Sequence, residues 1–253
     1  MKLNYKRTFF VGFAFLSICA FWELYEGVVP KMLEGTFGLG ETIVGAIMAI
    51  DNVLALFLLP LVGAWSDKVH TRLGRRMPFI LGGTLVASVF ILILPIAEHI
   101  RNFTLFMVAL GAILLAMASY RSPAVALMPD VTPKPLRSKA NAIINLMGTL
   151  GSAYALMMTL LLYKDDGSLN LPVFISVVAI MLLSVIFLLI TINENNLRKK
   201  VEEEEREFLG ENSDASSVDT EGKGKMPADV RRSFMFIMAS IFLWFFASNA
   251  VKT

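Results

Sequence analysis

The strongest constraint on this chain is the recurrence of apolar runs long enough to cross a bilayer. About 20 helical residues cross a hydrocarbon core ~30 Å thick. Runs of that order occupy residues 8–29, 43–66, 78–97, 103–128, 139–163, 171–192 and 233–251. Inside lipid every backbone polar group needs a partner within the chain, so spanning segments are helices or closed barrels. None of the runs alternates apolar and polar residues with a period of two, as barrel strands do. The predicted fold class is therefore an all-α polytopic membrane protein.

Charge is distributed unevenly between the connecting segments. With a cytoplasmic amino terminus, the inner segments carry Lys2, Lys6 and Arg7, then Lys68, Arg72, Arg75 and Arg76, then Lys134, Arg137 and Lys139, and finally Arg198, Lys199 and Lys200. The outer loops carry Lys31, Arg101 and Lys164. That asymmetry follows the positive-inside rule and predicts a multi-pass protein of the cell membrane with its amino terminus in the cytoplasm. The long apolar flanks of the basic cluster at 68–76 argue against nucleic acid as a partner, which would need a soluble basic face. The first run is expected to be the first span rather than a cleaved leader, since Glu23 and Glu26 interrupt it, no small-x-small site follows and more spans come after.

Three regions are expected. Residues 1–192 form a six-helix bundle. Residues 193–232 form a cytoplasmic linker, in which "KKVEEEERE" permits a short charged helix and "GENSDASSVDTEGKGKMPAD" has the composition of disorder. Residues 233–253 form a seventh helix. The chain stops at Thr253, within or just after that helix, and reads as truncated. Support in the sequence for a three-plus-three repeat within the six helices is faint.

The stretch "GAWSDKVHTRLGRRMPFI", residues 63–80, resembles the signature loop of the major facilitator superfamily: glycine, three residues, Asp with a basic neighbour, then Gly-Arg-Arg. Five residues, 69–73, separate Lys68 from Gly74, where the common form has one. That expanded form is similar to the plant sucrose/proton symporters and their animal and bacterial relatives, near the glycoside-pentoside-hexuronide cation symporters. "IMAIDNVLALFLLPLVG", "YRSPAVALMPDVTPKPLRSKANA" and "NAVKT" agree with it. The resemblance implies the six-helix N-terminal bundle of a twelve-helix transporter plus a seventh helix, working by alternating access. It implies a secondary transporter carrying a sucrose- or maltose-type sugar with H+, Na+ being the alternative coupling ion. The missing C-terminal half would be needed for activity, so a non-transporting fragment or another solute are the competing readings.

Residues of the signature loop are candidates for a cytoplasmic gate. Gly63 and Gly74 permit close backbone approach, and Asp67 can pair with Arg75 or Arg76. Lys68 and Arg72 complete the basic cluster. The resemblance implies that Asp67 also meets a helix amino terminus of the second half, where the dipole favours an anion. Binding of the cluster to anionic membrane lipid is the simpler alternative. Asp130 and Arg137, seven positions apart, resemble an acidic-x6-Arg element of the same superfamily and would join the network.

Charges inside spans cost about 2.5–3.5 kcal/mol each on insertion scales, so Glu23, Glu26 and Asp51 are candidates for proton coupling. Glu26 could instead reach the interface, and Asp51 beside Asn52 could make a structural bond between helices. Arg121, next to Tyr120, is a candidate partner for a carboxylate or a substrate. Asn141 and Asn145 open a stripe continued by Gly148, Ser152, Ala155 and Thr159, a pattern that serves close packing or, through the asparagines, sugar hydroxyls. Trp22, Tyr25 and Tyr120 could stack on a pyranose. His70, His99 and Cys19 have no metal-ligand spacing, no cofactor is implied, and no phosphate loop or nucleophile elbow points to an enzyme or an ATP-driven pump.

Overall fold

The structure is a computed structural model that describes residues 4–164 and 168–212, together with Phe236 and Ser240. The elements are α1 (Tyr5–Gly35), α2 (Glu41–Met48), α3 (Ile50–Lys68), α4 (Met77–His99), α5 (Phe103–Asp130), a 3-10 turn (Lys134–Leu136), α6 (Arg137–Leu162), α7 (Leu171–Thr191) and α8 (Glu194–Asn212). Among the described residues six helices are long and apolar enough to cross a membrane, α2 and α3 together forming the second. These six lie in one compact unit, Met1–Glu207; a second unit, Phe208–Thr253, holds the helical Phe236 and Ser240. Apart from those two residues, the seventh span expected over 233–251 lies outside the described residues, as does the linker beyond Asn212.

Local chemistry sets the helix ends. Asn4 and Asn102 cap α1 and α5, their side-chain oxygens accepting from Arg7 N at 3.1 Å and Leu105 N at 3.0 Å. Pro78 opens α4 at a position where its missing N–H costs nothing.

Packing of the bundle shows a symmetry that is faint in the sequence. The extensive pairings are α1 with α6, α4 with α5, α1 with α7, α3 with α5, and α4 with α7, with a lighter contact between α1 and α5. Exchange the first three spans (α1, α2/α3, α4) for the last three (α5, α6, α7), and these pairings map onto one another; the light α6–α7 contact breaks the pattern, having no comparable α3–α4 counterpart among the described residues. The pairing of α1 with α6 becomes that of α5 with α3, and α1 with α7 becomes α5 with α4. The other two pairs map to themselves. Because α1 and α5 start from opposite faces, the repeat is inverted, the arrangement of many transporter bundles.

Burial follows that order. The most apolar stretch of α1 is 61% buried, against 11% for the second span and 28% for the fifth, so the second span and α6 form the rims. Leu56, Phe57, Leu61 and Trp65 on α3, and Leu160 and Leu161 on α6, stay exposed in this unit. They are surfaces for lipid or for further protein. α1 and α6 approach closely at small residues: a Cβ on Gly151 would collide with the Leu16 carbonyl, and one on Gly148 would fall 2.9 Å from Cys19 Sγ.

Candidate functional site

Two sites emerge. The first lies on the face that carries the α3–α4 turn, the α5–α6 turn and the start of α8. Arg76 is its centre and only 6% exposed. Its guanidinium reaches Asp67 at 2.5 Å and Asp130 at 3.0 Å, and donates to Ser66 Oγ at 2.5 Å and to the Gly63 carbonyl at 3.4 Å. A buried cation between two carboxylates is satisfied electrostatically, and the fork of Arg fits two acceptors at once. Arg75 contributes less, one nitrogen donating to the Asp67 carbonyl at 3.4 Å. Arg137 does not bridge to Asp130. It closes the end of α5 instead, donating to Pro129 O at 2.9 Å and Thr132 O at 3.2 Å. Lys68 and Arg72 are exposed.

Sequence reasoning missed the other anchor of this site, Glu194. Its carboxylate is buried at 1% exposure and accepts from three successive backbone N–H groups: Arg75 at 2.9 Å, Arg76 at 3.0 and 3.2 Å, and Met77 at 3.2 Å. These are the donors that the first turn of α4 leaves without helical partners, and an anion there also meets the positive end of the helix dipole. Asn195 adds side-chain bonds to Thr71 O at 3.1 Å and Arg72 O at 3.2 Å. Gly74 makes room: its φ of +125° is open to glycine, and a Cβ would overlap the Glu194 carboxylate. Gly63 has a similar use, a Cβ there falling 3.0 Å from Ser122 Oγ. The available signal for Glu194 was an acid between two asparagines at the exit of the sixth span.

The second site is a small cleft where α1, α3 and α5 meet. Trp22, Asp51, Leu54, Leu114 and Arg121 line it. The Arg121 guanidinium lies over the Trp22 ring, 5.4 Å from its centroid, a cation–π contact. Asp51 lies within electrostatic reach of Arg121 and Glu26, and Tyr25 within reach of Asp51 and Glu26. Arg121 and Glu23 both act on Cys19. Three carboxylates expected from the sequence, Glu23, Glu26 and Asp51, are therefore gathered near the Arg121 cation, with Glu23 half-buried and Glu26 exposed. Tyr25 packs edge-to-face on Trp22 at 5.3 Å. The Tyr25 hydroxyl and the Trp22 indole N–H are buried without a hydrogen-bond partner among the described residues, and buried donors left unpaired are costly.

Other expected residues fall elsewhere. Tyr120 was a candidate for sugar stacking, but it is fully buried and its hydroxyl donates to the Ala14 carbonyl at 2.8 Å. The ring has no free face. Arg121, one position on and about 100° around the helix, turns to the cleft while Tyr120 turns to α1 and α4. Asn141 and Asn145 are exposed on α6 and do not line the cleft; within the same stripe Gly148 and Ala155 are buried. Asn52 is exposed, and its backbone N–H donates to Asp51 Oδ1 at 2.7 Å. Among the described residues no cluster of three or more His, Cys, Asp or Glu could hold a metal ion.

The sucrose transport protein SUC3 of Arabidopsis thaliana is 27% identical over 150 residues, 52% of this chain and 25% of that protein. The sucrose transport protein SUT3 of Oryza sativa subsp. indica is 26% identical over 150 residues, 52% of this chain and 29% of that protein. The proton-associated sugar transporter A of Mus musculus is 30% identical over 139 residues, 50% of this chain and 18% of that protein. The aligned region is thus under a third of each relative's length. The sequence profile of the Major Facilitator Superfamily matches residues 11–252, nearly the whole length. The chain belongs to the Major Facilitator Superfamily, a multi-pass family of membrane transporters.

Proposed function

We propose that this chain is the N-terminal part of a secondary active sugar transporter in the cell membrane, coupled to protons and working by alternating access. The observation that carries this reading is the cleft in which Arg121 meets Trp22 and Asp51 while two buried donors, Trp22 Nε1 and the Tyr25 hydroxyl, lack partners. A sugar offers many hydroxyl acceptors and flat C–H faces, which suits unpaired donors next to an aromatic ring. Three carboxylates within spans, Glu23, Glu26 and Asp51, offer places where a proton can be held on one side and released on the other. Asp51 has the specific advantage of a fixed cation nearby: whatever draws Arg121 away makes protonation easier. Asn141, Asn145 and Asn52 remain candidates on the uncovered side of the unit, where a second bundle would complete the chamber.

In this reading the Arg76 network is the gate at the cytoplasmic face, and the amino terminus lies on that same side. Asp67, with 55% of its side chain exposed, retains acceptor capacity for a helix end of an opposing bundle. In this reading residues 1–192 form one bundle, 193–232 a cytoplasmic linker, and 233–253 open the second bundle, which completes the transporter. The names of the relatives support sugar and H+ as cargo, and surrounding lipid is the remaining partner.

The test is uptake of labelled sucrose, maltose and glucose into proteoliposomes holding this chain, or the longer product where the reading frame continues past Thr253. Accumulation driven by an acidic exterior supports the proposal. Accumulation that follows a Na+ gradient replaces the coupling ion, and absence of any sugar uptake by the longer product overturns it.

A further inference from the structure

Arg121 is the cation of the cleft, and its two neighbours in sequence hold on to other helices. Successive side chains of an α-helix point about 100° apart, so Tyr120 and Ser122 project to either side of Arg121. Each ends in a hydroxyl that donates to a backbone carbonyl across a helix boundary. Tyr120 donates to Ala14 O on α1 at 2.8 Å, and Ser122 to Leu59 O on α3 at 2.9 Å. These are the same two helices that carry the neighbours of Arg121 in the cleft, Trp22 on α1 and Asp51 on α3. The flanking residues thus tie α5 to both walls that the guanidinium faces.

Both tying residues are seated against a glycine. A Cβ on Gly83 of α4 would fall 2.8 Å from Tyr120 Cβ and 2.9 Å from Ala116 O, and one on Gly63 of α3 would fall 3.0 Å from Ser122 Oγ. A side chain at either place would push α5 away from its seat. Pro123 gives the ties a purpose. Lacking an N–H, it cannot donate to Ser119 O, so α5 loses a rung in the very turn that holds Arg121 and bends there more easily. The nearby Ser119 supplies no tie, because its hydroxyl donates to Leu115 O of its own helix at 3.0 Å.

Aim matters at this position. A cation–π contact needs the charge over the ring and within about 6 Å of its centroid, and Arg121 stands at 5.4 Å from that of Trp22. A small rotation of α5 swings the end of so long a side chain further than it moves the backbone. The same rotation displaces both hydroxyls from their acceptors. We propose that Tyr120 and Ser122 are positioning residues for Arg121: their hydroxyl bonds fix the rotation of α5 and so hold the guanidinium over Trp22 and toward Asp51. The inference rests on the reading of this cleft as the substrate site, and its test reads the geometry without sugar.

The full chain, carrying Trp65→Phe and Trp244→Phe so that Trp22 is its only tryptophan, is purified in a neutral maltoside detergent. The emission of Trp22 then reports the cation above its ring, and Arg121→Ala sets the value for a missing cation. Tyr120→Phe and Ser122→Ala each remove one oxygen. Each is expected to move the emission part of the way to that value, and the double variant most of the way. Where the double variant does not fold, the two single variants carry the same comparison. Tyr154→Phe is the control: it deletes a hydroxyl bond between α6 and α7, to Ser176 O at 3.4 Å, and Tyr154 does not line the cleft. It should leave the emission at the parent value even where the melting temperature falls. Parent emission from Tyr120→Phe, Ser122→Ala and their combination, or an equal shift in Tyr154→Phe, overturns the proposal. Identical emission with and without the Arg121 side chain overturns it too, and removes the reading of the cleft along with it. The expected spectra in a chain whose longer product takes up no sugar support the positioning role and fell the functional reading alone.

Discussion

Arg76 and Glu194 are tied through the backbone: the Glu194 carboxylate accepts the Arg76 N–H at 3.0 and 3.2 Å, while the Arg76 side chain points away to Asp67 and Asp130. One residue thus couples the start of α8 to the start of α4, the end of α3 and the end of α5. Removing the acceptor strands three N–H groups in a buried site. Glu194→Ala is expected to cost about 2 kcal/mol, or about 4–8 °C in melting temperature for a unit of this size. Glu194→Gln keeps an acceptor and should cost less than half of that. Equal melting of the Ala variant and wild type would show that Glu194 bears no load.

The two carboxylates on Arg76 are not equivalent. The Asp130 side chain is 22% exposed and that of Asp67 is 55% exposed. Screening by water weakens the exposed pair to about 0–1 kcal/mol, whereas breaking a mostly buried charged hydrogen bond costs about 1.5–3 kcal/mol. Asp130→Asn should therefore destabilise more than Asp67→Asn. For transport the order should reverse: Asp67→Asn is expected to slow turnover without moving substrate affinity, measured as initial uptake rates against sugar concentration. An effect confined to affinity would contradict a gate.

Much of this was readable in the chain, for a physical reason. The spans are set by composition over 20 residues, and the expected run 171–192 meets a helix at Leu171–Thr191. The pairing of Asp67 with an arginine follows from charges close in sequence. Glu194 is different. Its partners lie 117 to 119 positions earlier, so its role depends on how the sixth span returns to the third, and no local pattern carries that. Tyr120 misled for a related reason: an aromatic beside an arginine reads the same in either rotation of α5, and only packing against α1 and α4 decides which of the two faces the cleft. The linker and seventh span have no such comparison among the described residues.

Helix contact through glycine gives a third prediction. A methyl on Gly151 meets the Leu16 backbone carbonyl, which has no rotamer to yield, whereas a methyl on Gly111 meets nothing within 4 Å. Gly151→Ala is expected to lose about 1–3 kcal/mol through forced separation of α1 and α6. Gly111→Ala should be neutral or slightly stabilising, because glycine is a poor helix former. Differential melting of the purified variants checks the pair, and identical melting would mean that α1 and α6 are looser than this packing.

The last prediction concerns the charges near Trp22. If Asp51 and Glu23 carry the proton, neutral amides at those positions remove coupling while leaving the hydrogen-bonding shape of the cleft. Glu23→Gln and Asp51→Asn are each expected to abolish uphill accumulation in the complete transporter yet to retain sugar exchange at equal concentrations, a step that needs no net proton movement. Arg121→Ala should behave differently. It takes the cation from the Trp22 ring, a contact of about 0.5–2 kcal/mol, and leaves Asp51 without its nearby positive charge. Exchange and accumulation should then fall together. The measurement is labelled-sugar counterflow beside gradient-driven uptake for all three variants. Unchanged accumulation in Glu23→Gln would remove Glu23 from the coupling path, and loss of exchange in both amide variants would make those carboxylates sugar ligands rather than proton carriers.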